Sequence, residues 1–350
     1  MRETQTWRSP SERRALSADL RLQDFAARMT ALSTIPSTAN DASADMALLD
    51  LIGLLNDHDY RFVTPTPATH ARVLSRPDRR QAADLRDIFG WSLPFAPELP
   101  PQPVLECLRA GGALREEGPM LRSRLRASTL GDDLYLHSAF PTDQEDSVFF
   151  GPDSYRFAGL IGAELKACPL KPDARIADIG GGAGVGALVA ARTCPQAQVI
   201  MTDVNPKALR LARINAAAAG MEIETVEGSG LDGVAPPLDL ITLNPPYIID
   251  EAGRTYRDGG GMHGGKLSLD LTIEAMDRLA DKGRVLLYTG SAILKGADPL
   301  RDALAREAEQ RGLRLDYREI DPDVFGEELV KPQYRDVERI ALIAATIGKD

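Results

Sequence analysis

Cysteine is scarce: only Cys107, Cys168 and Cys194 occur in 350 residues, far apart and without a C-x-x-C pair. So few, and an odd number, exclude a disulfide framework and a cysteine zinc site. The four histidines, His58, His70, His137 and His263, lack metal-ligand spacing and read as surface or packing residues. No uninterrupted apolar run approaches the roughly 20 residues that span a bilayer. The most apolar stretch, Ile179–Ala191, is broken by glycines. The opening residues MRETQTWRSPSERR contain no hydrophobic core of a secretory signal, so a cytoplasmic location without membrane contact is expected. Lysine is missing from residues 1–140, which hold 17 arginines against 18 acidic residues, a charge of about −1. The remainder has 41 − 17 = 24 basic and 51 − 18 = 33 acidic residues, hence −9. An acidity of that size repels a phosphate backbone and weighs against nucleic acid as a partner.

What is present divides near residue 141. Residues 1–141 predict an α+β module: helices at Ser17–Leu32, Ala44–Leu55 and Val104–Ala110, a linker at Ser33–Asp41, and a strand at Tyr60–Thr64. Proline-rich stretches at Thr64–Ala68 and Leu93–Pro103 read as loops. Leu121–Thr129 and Asp133–Phe140 alternate around Leu130-Gly131-Asp132 and predict a β-hairpin, giving a winged-helix-like order. Arg122, Arg124 and Arg126 would then share one strand face. That face is either solvated or a surface for an acidic partner.

Residues 142–350 change to α/β alternation. Strands are expected at Arg175–Ile179, Gln198–Asp203, Glu222–Glu227, Leu238–Leu243, Gly283–Thr289, Leu313–Glu319 and Glu338–Ile347. Helices fit Val185–Thr193, Pro206–Ala219, Leu267–Leu279 and Pro299–Arg311. Apolar strands joined by helices predict a doubly wound, seven-stranded, mostly parallel sheet whose last two strands form an antiparallel edge pair.

Three motifs carry chemistry. In IADIGGGAGVG a strand runs into Asp178, then Gly180, Gly182 and Gly184, then a helix. Such a turn lets a ligand approach the backbone where a Cβ would block it. Asp178 is suited to a cationic methionine moiety. A dinucleotide reading (Gly182, Gly184, Ala187) begins three residues beyond the strand end, which misplaces the tight-turn glycine. Asp203 ends the second strand, 203 − 180 = 23 residues past Gly180, where an acidic side chain meets ribose hydroxyls, or alternatively caps the next helix. The fourth strand ends in Asn244-Pro245-Pro246-Tyr247. The Asn244 side-chain carbonyl and the Pro245 main-chain carbonyl can accept both N–H bonds of a planar –NH2 group, and Tyr247 could stack on it. Together these predict an S-adenosylmethionine-dependent N-methyltransferase that works by positioning and electrostatics.

Residues 148–347 resemble the HemK-type protein-glutamine methyltransferases, which modify peptide-chain release factors. Phe150-Gly151-Pro152-Asp153-Ser154 resembles the segment that closes over the cofactor in that family. The resemblance implies a class I methyltransferase fold. It makes Pro152, Asp153, Ser154, Gly180, Gly182, Gly184 and Asp203 cofactor contacts, and Asn244, Pro245 and Tyr247 an amide clamp. Where the family often has an adenine-reading aspartate, this chain has Glu227-Gly228-Ser229, leaving Ser229 in that place. Arg257–Gly264 resembles the family's glycine-containing loop near the substrate, or is a flexible surface loop. Residues 1–141 depart most and are expected to recognise the acceptor. A protein such as a release factor is the expected partner. The alternatives are an exocyclic amine of adenine or guanine in nucleic acid, a small molecule or peptide, and a cofactor-binding subunit without activity.

Overall fold

The computed structural model describes residues 39–250 and 257–349. The expected helix Ser17–Leu32 and most of the expected linker Ser33–Asp41 lie outside the described residues.

Helix α1 (Ala39–Asp57) opens the described chain. Its Leu48, Leu51, Ile52 and Leu55 recur at three- and four-residue spacing and are all buried. Helices α2 (Pro67–Leu74), α3 (Leu85–Phe89) and α4 (Gln102–Ala110) follow. Pro67, expected in a loop, instead begins α2: proline suits the first helical turn, and the Thr66 hydroxyl caps the Thr69 N–H. Tyr60–Thr64 forms no ladder. It runs beside the hairpin through one backbone bond, Thr129 N–H to Phe62 O (2.8 Å).

The single expected hairpin is two. Strands β1 (Leu114–Glu117) and β2 (Met120–Ser123) pair, as do β3 (Leu125–Leu130) and β4 (Asp133–Ser138). The run Leu121–Thr129 breaks at Arg124 because the Ser123 hydroxyl both accepts from Leu125 N–H and donates to Leu125 O. The arginine face therefore does not exist. Arg122 pairs with Glu117, Arg124 donates to Leu114 O, and Arg126 is 4% exposed and donates to Gly90 O.

Helix α5 (Pro152–Ala167) leads into the sheet. Strands β5 (Arg175–Ile179), β6 (Gln198–Asp203), β7 (Glu224–Glu227), β8 (Leu238–Leu243), β9 (Leu279–Ile293), β10 (Arg314–Asp321) and β11 (Arg339–Gly348) stand in the order β10-β11-β9-β8-β5-β6-β7. All are parallel except β11, which runs antiparallel to both neighbours. The last two strands do pair, but only β10 is an edge. β11 is interior, which explains why Ile340–Ala345 are all buried. Helices α6 (Val185–Thr193) and α7 (Pro206–Ala218) join α5 on one face, over Ile176, Leu240, Leu286 and Leu342. Helices α8 (Lys266–Met276) and α9 (Pro299–Gln310) cover the other, over Ala177, Ile241, Val285 and Ile343. Adjacent strand residues thus serve opposite layers, as a sheet buried on both faces requires. This is the class I methyltransferase fold.

Residues 41–141 share their core with the second part. Leu51 and Ile52 of α1, Leu108 of α4 and Leu136 of β4 pack in one cluster with Leu188 of α6 and Leu211 and Ile214 of α7. Buried Asn215 stitches the parts: it accepts from Leu136 N–H (2.8 Å) and donates to Leu136 O (3.1 Å) and Ala183 O (2.9 Å).

Candidate active site

Strand register sets the site. Ile179 of β5 pairs with Thr202 of β6 and with Leu243 of β8. Gly180, Asp203 and Asn244 therefore each follow one residue later, level on three neighbouring strands. Asp203 in turn pairs with Glu227 of β7, which places Gly228 and Ser229 just beyond. Because β5 bonds both β6 and β8, the strand order reverses there, and the carboxyl ends of such strands open into a crevice.

A cleft of about 260 Å3 occupies that crevice. Of the expected residues, Ser154, Asp178, Gly180, Gly182, Asp203, Ser229, Asn244 and Pro245 line it. Gly180 and Gly182 have φ of 63° and 56°, conformations that disfavour a side chain. At Gly181 a Cβ would run into Met201 and the Asp178 carboxylate, so the turn must stay bare.

Asp178 is fully buried. Its Oδ1 accepts from Thr242 Oγ1 (2.7 Å) and its Oδ2 from Ala187 N–H (3.0 Å). Burial pushes its carboxyl up to about 7 against the two hydrogen bonds. Asp203 does not cap α7; Asn205 does, accepting from Lys207 N–H (3.0 Å). Asp203 Oδ2 accepts from Gly182 N–H (2.9 Å) and Oδ1 from Asn205 N–H (2.8 Å), which ties β6 to the glycine turn. Burial also raises its carboxyl above the ordinary range. Each oxygen keeps a second lone pair for a hydroxyl donor. Two carboxylates kept short of full compensation, beside a bare backbone turn, fit a ligand carrying both a cation and a ribose diol. S-adenosylmethionine is such a ligand, and when bound it supplies an electrophilic methyl group.

Four expected residues stand behind the wall. Gly184 (φ 87°) precedes α6, and a Cβ there would meet Ala212 and Leu188 at 3.0 Å, so it serves helix packing. Pro152 is in the first turn of α5. Asp153 is buried, and its carboxylate accepts from Tyr247 Oη (2.7 Å) and Tyr288 Oη (2.9 Å). Tyr247 is 7% exposed, its ring pressed on Gly290, where a Cβ would collide with it, and set edge-on to Phe325. The ring is not offered to the cleft for stacking. It anchors the turn whose other end presents Asn244. Among the described residues no hydrogen bond engages the Asn244 side chain.

The glycine-rich loop is not a detached surface loop. Gly259 N–H donates to Ile248 O (2.8 Å), and Leu267 N–H donates to Gly259 O (3.0 Å). A Cβ at Gly259 or Gly264 would strike the backbone of Gly264 or Tyr247 respectively. The loop lies directly on the Pro246–Ile248 backbone. Sequence reasoning missed Phe149, Val204, Leu267 and Leu271, which also line the cleft. Phe149 and Val204 are 37% and 46% exposed, apolar surface at the mouth that suits a planar ring. Phe149 is readable only in hindsight: its ring packs where a Cβ of Gly151 would sit.

Among the described residues no helix is long and apolar enough to cross a membrane. Residues 161–287 match the family described as Methyltransferase small domain. Release factor glutamine methyltransferase of Deinococcus radiodurans is 38% identical over 159 residues, covering 44% of this chain and 55% of that protein. Ribosomal RNA small subunit methyltransferase C of Pseudomonas entomophila is 40% identical over 102 residues, covering 25% of this chain and 31% of that protein. tRNA1(Val) (adenine(37)-N6)-methyltransferase of Aeromonas hydrophila is 34% identical over 132 residues, covering 36% and 55%. The chain thus spans at most about half the length of these relatives. Taken with the sheet order and the cleft, residues 161–287 form a methyltransferase domain of the class I fold, and its cofactor is S-adenosylmethionine.

Proposed function

We infer that the protein methylates a planar amide nitrogen, that of a glutamine side chain in a protein acceptor such as a release factor, and that it acts in the cytoplasm. The observation that carries this reading is Asn244-Pro245 at the rim of the cofactor cleft, level with Gly180 and Asp203 and with the Asn244 amide unspent. The relative from Deinococcus radiodurans acts on a release-factor glutamine by its name.

In this reading Asn244 Oδ1 and Pro245 O each accept one N–H of the acceptor. An amide lone pair is delocalised, and two acceptors on its hydrogens favour the geometry that turns the lone pair toward the methyl carbon. The turn must be stiff for that. Pro245 and Pro246 restrict the backbone, and Tyr247, held by Asp153, fixes its far end. Asp203 and Ser229 would hold the ribose and adenine, and Asp178 the cationic methionine end. Residues 1–141 would select the acceptor and residues 142–350 carry the chemistry.

A second reading, methylation of an exocyclic base amine in RNA, is favoured by the two relatives named for ribosomal and transfer RNA. The −9 charge of residues 141–350 opposes it. Incubation with methyl-labelled cofactor and separate protein, RNA and DNA fractions tests both. Label in protein, on a glutamine by mass spectrometry, is the expected result. Label confined to nucleic acid refutes the glutamine reading.

A further inference from the structure

A second concavity, a shallow depression of about 480 Å3, opens in the first part of the chain. Its floor is Phe62, Leu130 and Tyr155, and its rim carries Arg61, Arg86 and Val63. Val63 is 66% exposed, an apolar side chain left in water. Among the described residues no carboxylate lines the depression, and neither Arg61 nor Arg86 forms an ion pair. That is unusual in a chain of net charge −10.

A third cation lies beneath. Two guanidiniums lie over the Phe62 ring: Arg86 is 5.7 Å and Arg126 5.5 Å from its centroid. Arg126 is 4% exposed, and its polar partners are Gly90 O (2.9 Å) and His70 Nδ1 (3.5 Å), both uncharged. No carboxylate neutralises it among the described residues. Two guanidiniums thus lie over one buried ring while Arg61 shares the lining of the depression, and an anion set between Arg61 and Arg86 would be attracted by all three.

We propose that this depression docks an acidic segment of a polypeptide, a Glu or Asp carboxylate set between Arg61 and Arg86 with a neighbouring apolar or aromatic side chain on Leu130 and Val63. Guanidinium forks match carboxylates in pairs, and the apolar floor suits a side chain better than a phosphate track, which needs a longer row of cations. The depression also adjoins the cofactor cleft through α5. Ser154 and Phe157 line the cleft, whereas Tyr155 between them lines the depression and accepts from Thr64 N–H (3.1 Å). A docked segment would therefore bear on the same helix turn that borders the cofactor. The identity of the occupant rests on the protein-acceptor reading above; the docking itself is measured without methyl transfer.

The probe is fluorescein-labelled poly(Glu,Tyr) random copolymer, titrated by anisotropy without cofactor. Arg61→Glu/Arg86→Glu is expected to weaken binding at least tenfold, and Val63→Asp severalfold. The control Arg306→Glu/Arg318→Glu, which reverses two exposed arginines elsewhere, should change it less than twofold. Circular dichroism verifies that each variant is folded. The proposal is overturned if wild-type protein does not bind the copolymer, if the control loses as much, or if poly-uridylate displaces the copolymer at equal charge. Asn244→Ala should bind the copolymer like wild type. Docking that persists while no protein is methylated would sink the acceptor reading alone; methylated protein without docking would sink this proposal alone.

Discussion

Asp178→Asn should stabilise the cofactor-free protein at alkaline pH while weakening cofactor binding. The wild-type carboxyl is buried, and burial raises it from 3.8 to about 7. Below pH 4 the group is protonated in both folded and unfolded chains and contributes no difference. Between pH 4 and 7 the folded chain holds a proton that the unfolded chain has released, so stability falls as pH rises. Above 7 the loss is complete. A shift of 7 − 3.8 = 3.2 units corresponds to roughly 4 kcal/mol at about 1.36 kcal/mol per unit. Asparagine is nearly isosteric. Its carbonyl can keep the Ala187 N–H bond and its amide can donate to Thr242 Oγ1, so neither partner is orphaned. Urea denaturation at pH 5 and pH 8 is the assay. The stability advantage of the variant should grow by roughly 3 kcal/mol between the two. Calorimetric affinity for S-adenosylmethionine should drop about 10- to 100-fold at pH 8, the scale of a lost charged hydrogen bond of roughly 1.5–3 kcal/mol. A variant no more stable than wild type at pH 8 would show that the carboxylate is already compensated in the empty site, refuting the argument.

Three further outcomes follow from the geometry. Asp153→Ala and Tyr247→Phe each remove the Asp153–Tyr247 bond and should lower kcat with S-adenosylmethionine affinity nearly unchanged. Their double variant should lose less than the sum of the singles; additive losses would mean that the two act separately. Asn215→Ala leaves Leu136 N–H and O and Ala183 O without partners at the seam of the two parts and should cost about 2–4 kcal/mol of stability in thermal denaturation; a change under 1 kcal/mol would show that water replaces it. Gly182→Ala forces a side chain into a φ of 56° and should cost about 1 kcal/mol while weakening cofactor binding, measured by calorimetry; unchanged binding would remove Gly182 from the contact surface.

The sheet was legible because its strands are short apolar runs separated by helices with clear starts, and six of seven begin within about two residues of the expected position. β9 begins four residues early, at Leu279, because its first turn pairs Leu279 with Leu238. The glycine turn, Asp203 and Asn244 were legible as motifs, yet their common level came from strand register, which a linear reading cannot supply. Helix α5 went unread past Ser154 although Phe157, Leu160, Ile161 and Leu165 recur at helical spacing, because Gly159 and Gly162 weaken the pattern. Tyr247 was expected to face the acceptor; its buried place depends on Gly290, 43 residues away, lacking a Cβ. The three alternating arginines misled because a single serine hydroxyl, Ser123, ends one hairpin and begins the next.

The central claim is that Asn244, at the rim of the cofactor cleft, presents an amide nitrogen for methylation. The most direct measurement is methyl transfer from labelled S-adenosylmethionine by wild type and Asn244→Ala, with the modified residue located by mass spectrometry. The account predicts N-methylglutamine in a protein acceptor, lost by about 100-fold or more in the variant while cofactor affinity stays within a few-fold. Label on another atom, or transfer undiminished in Asn244→Ala, would contradict it.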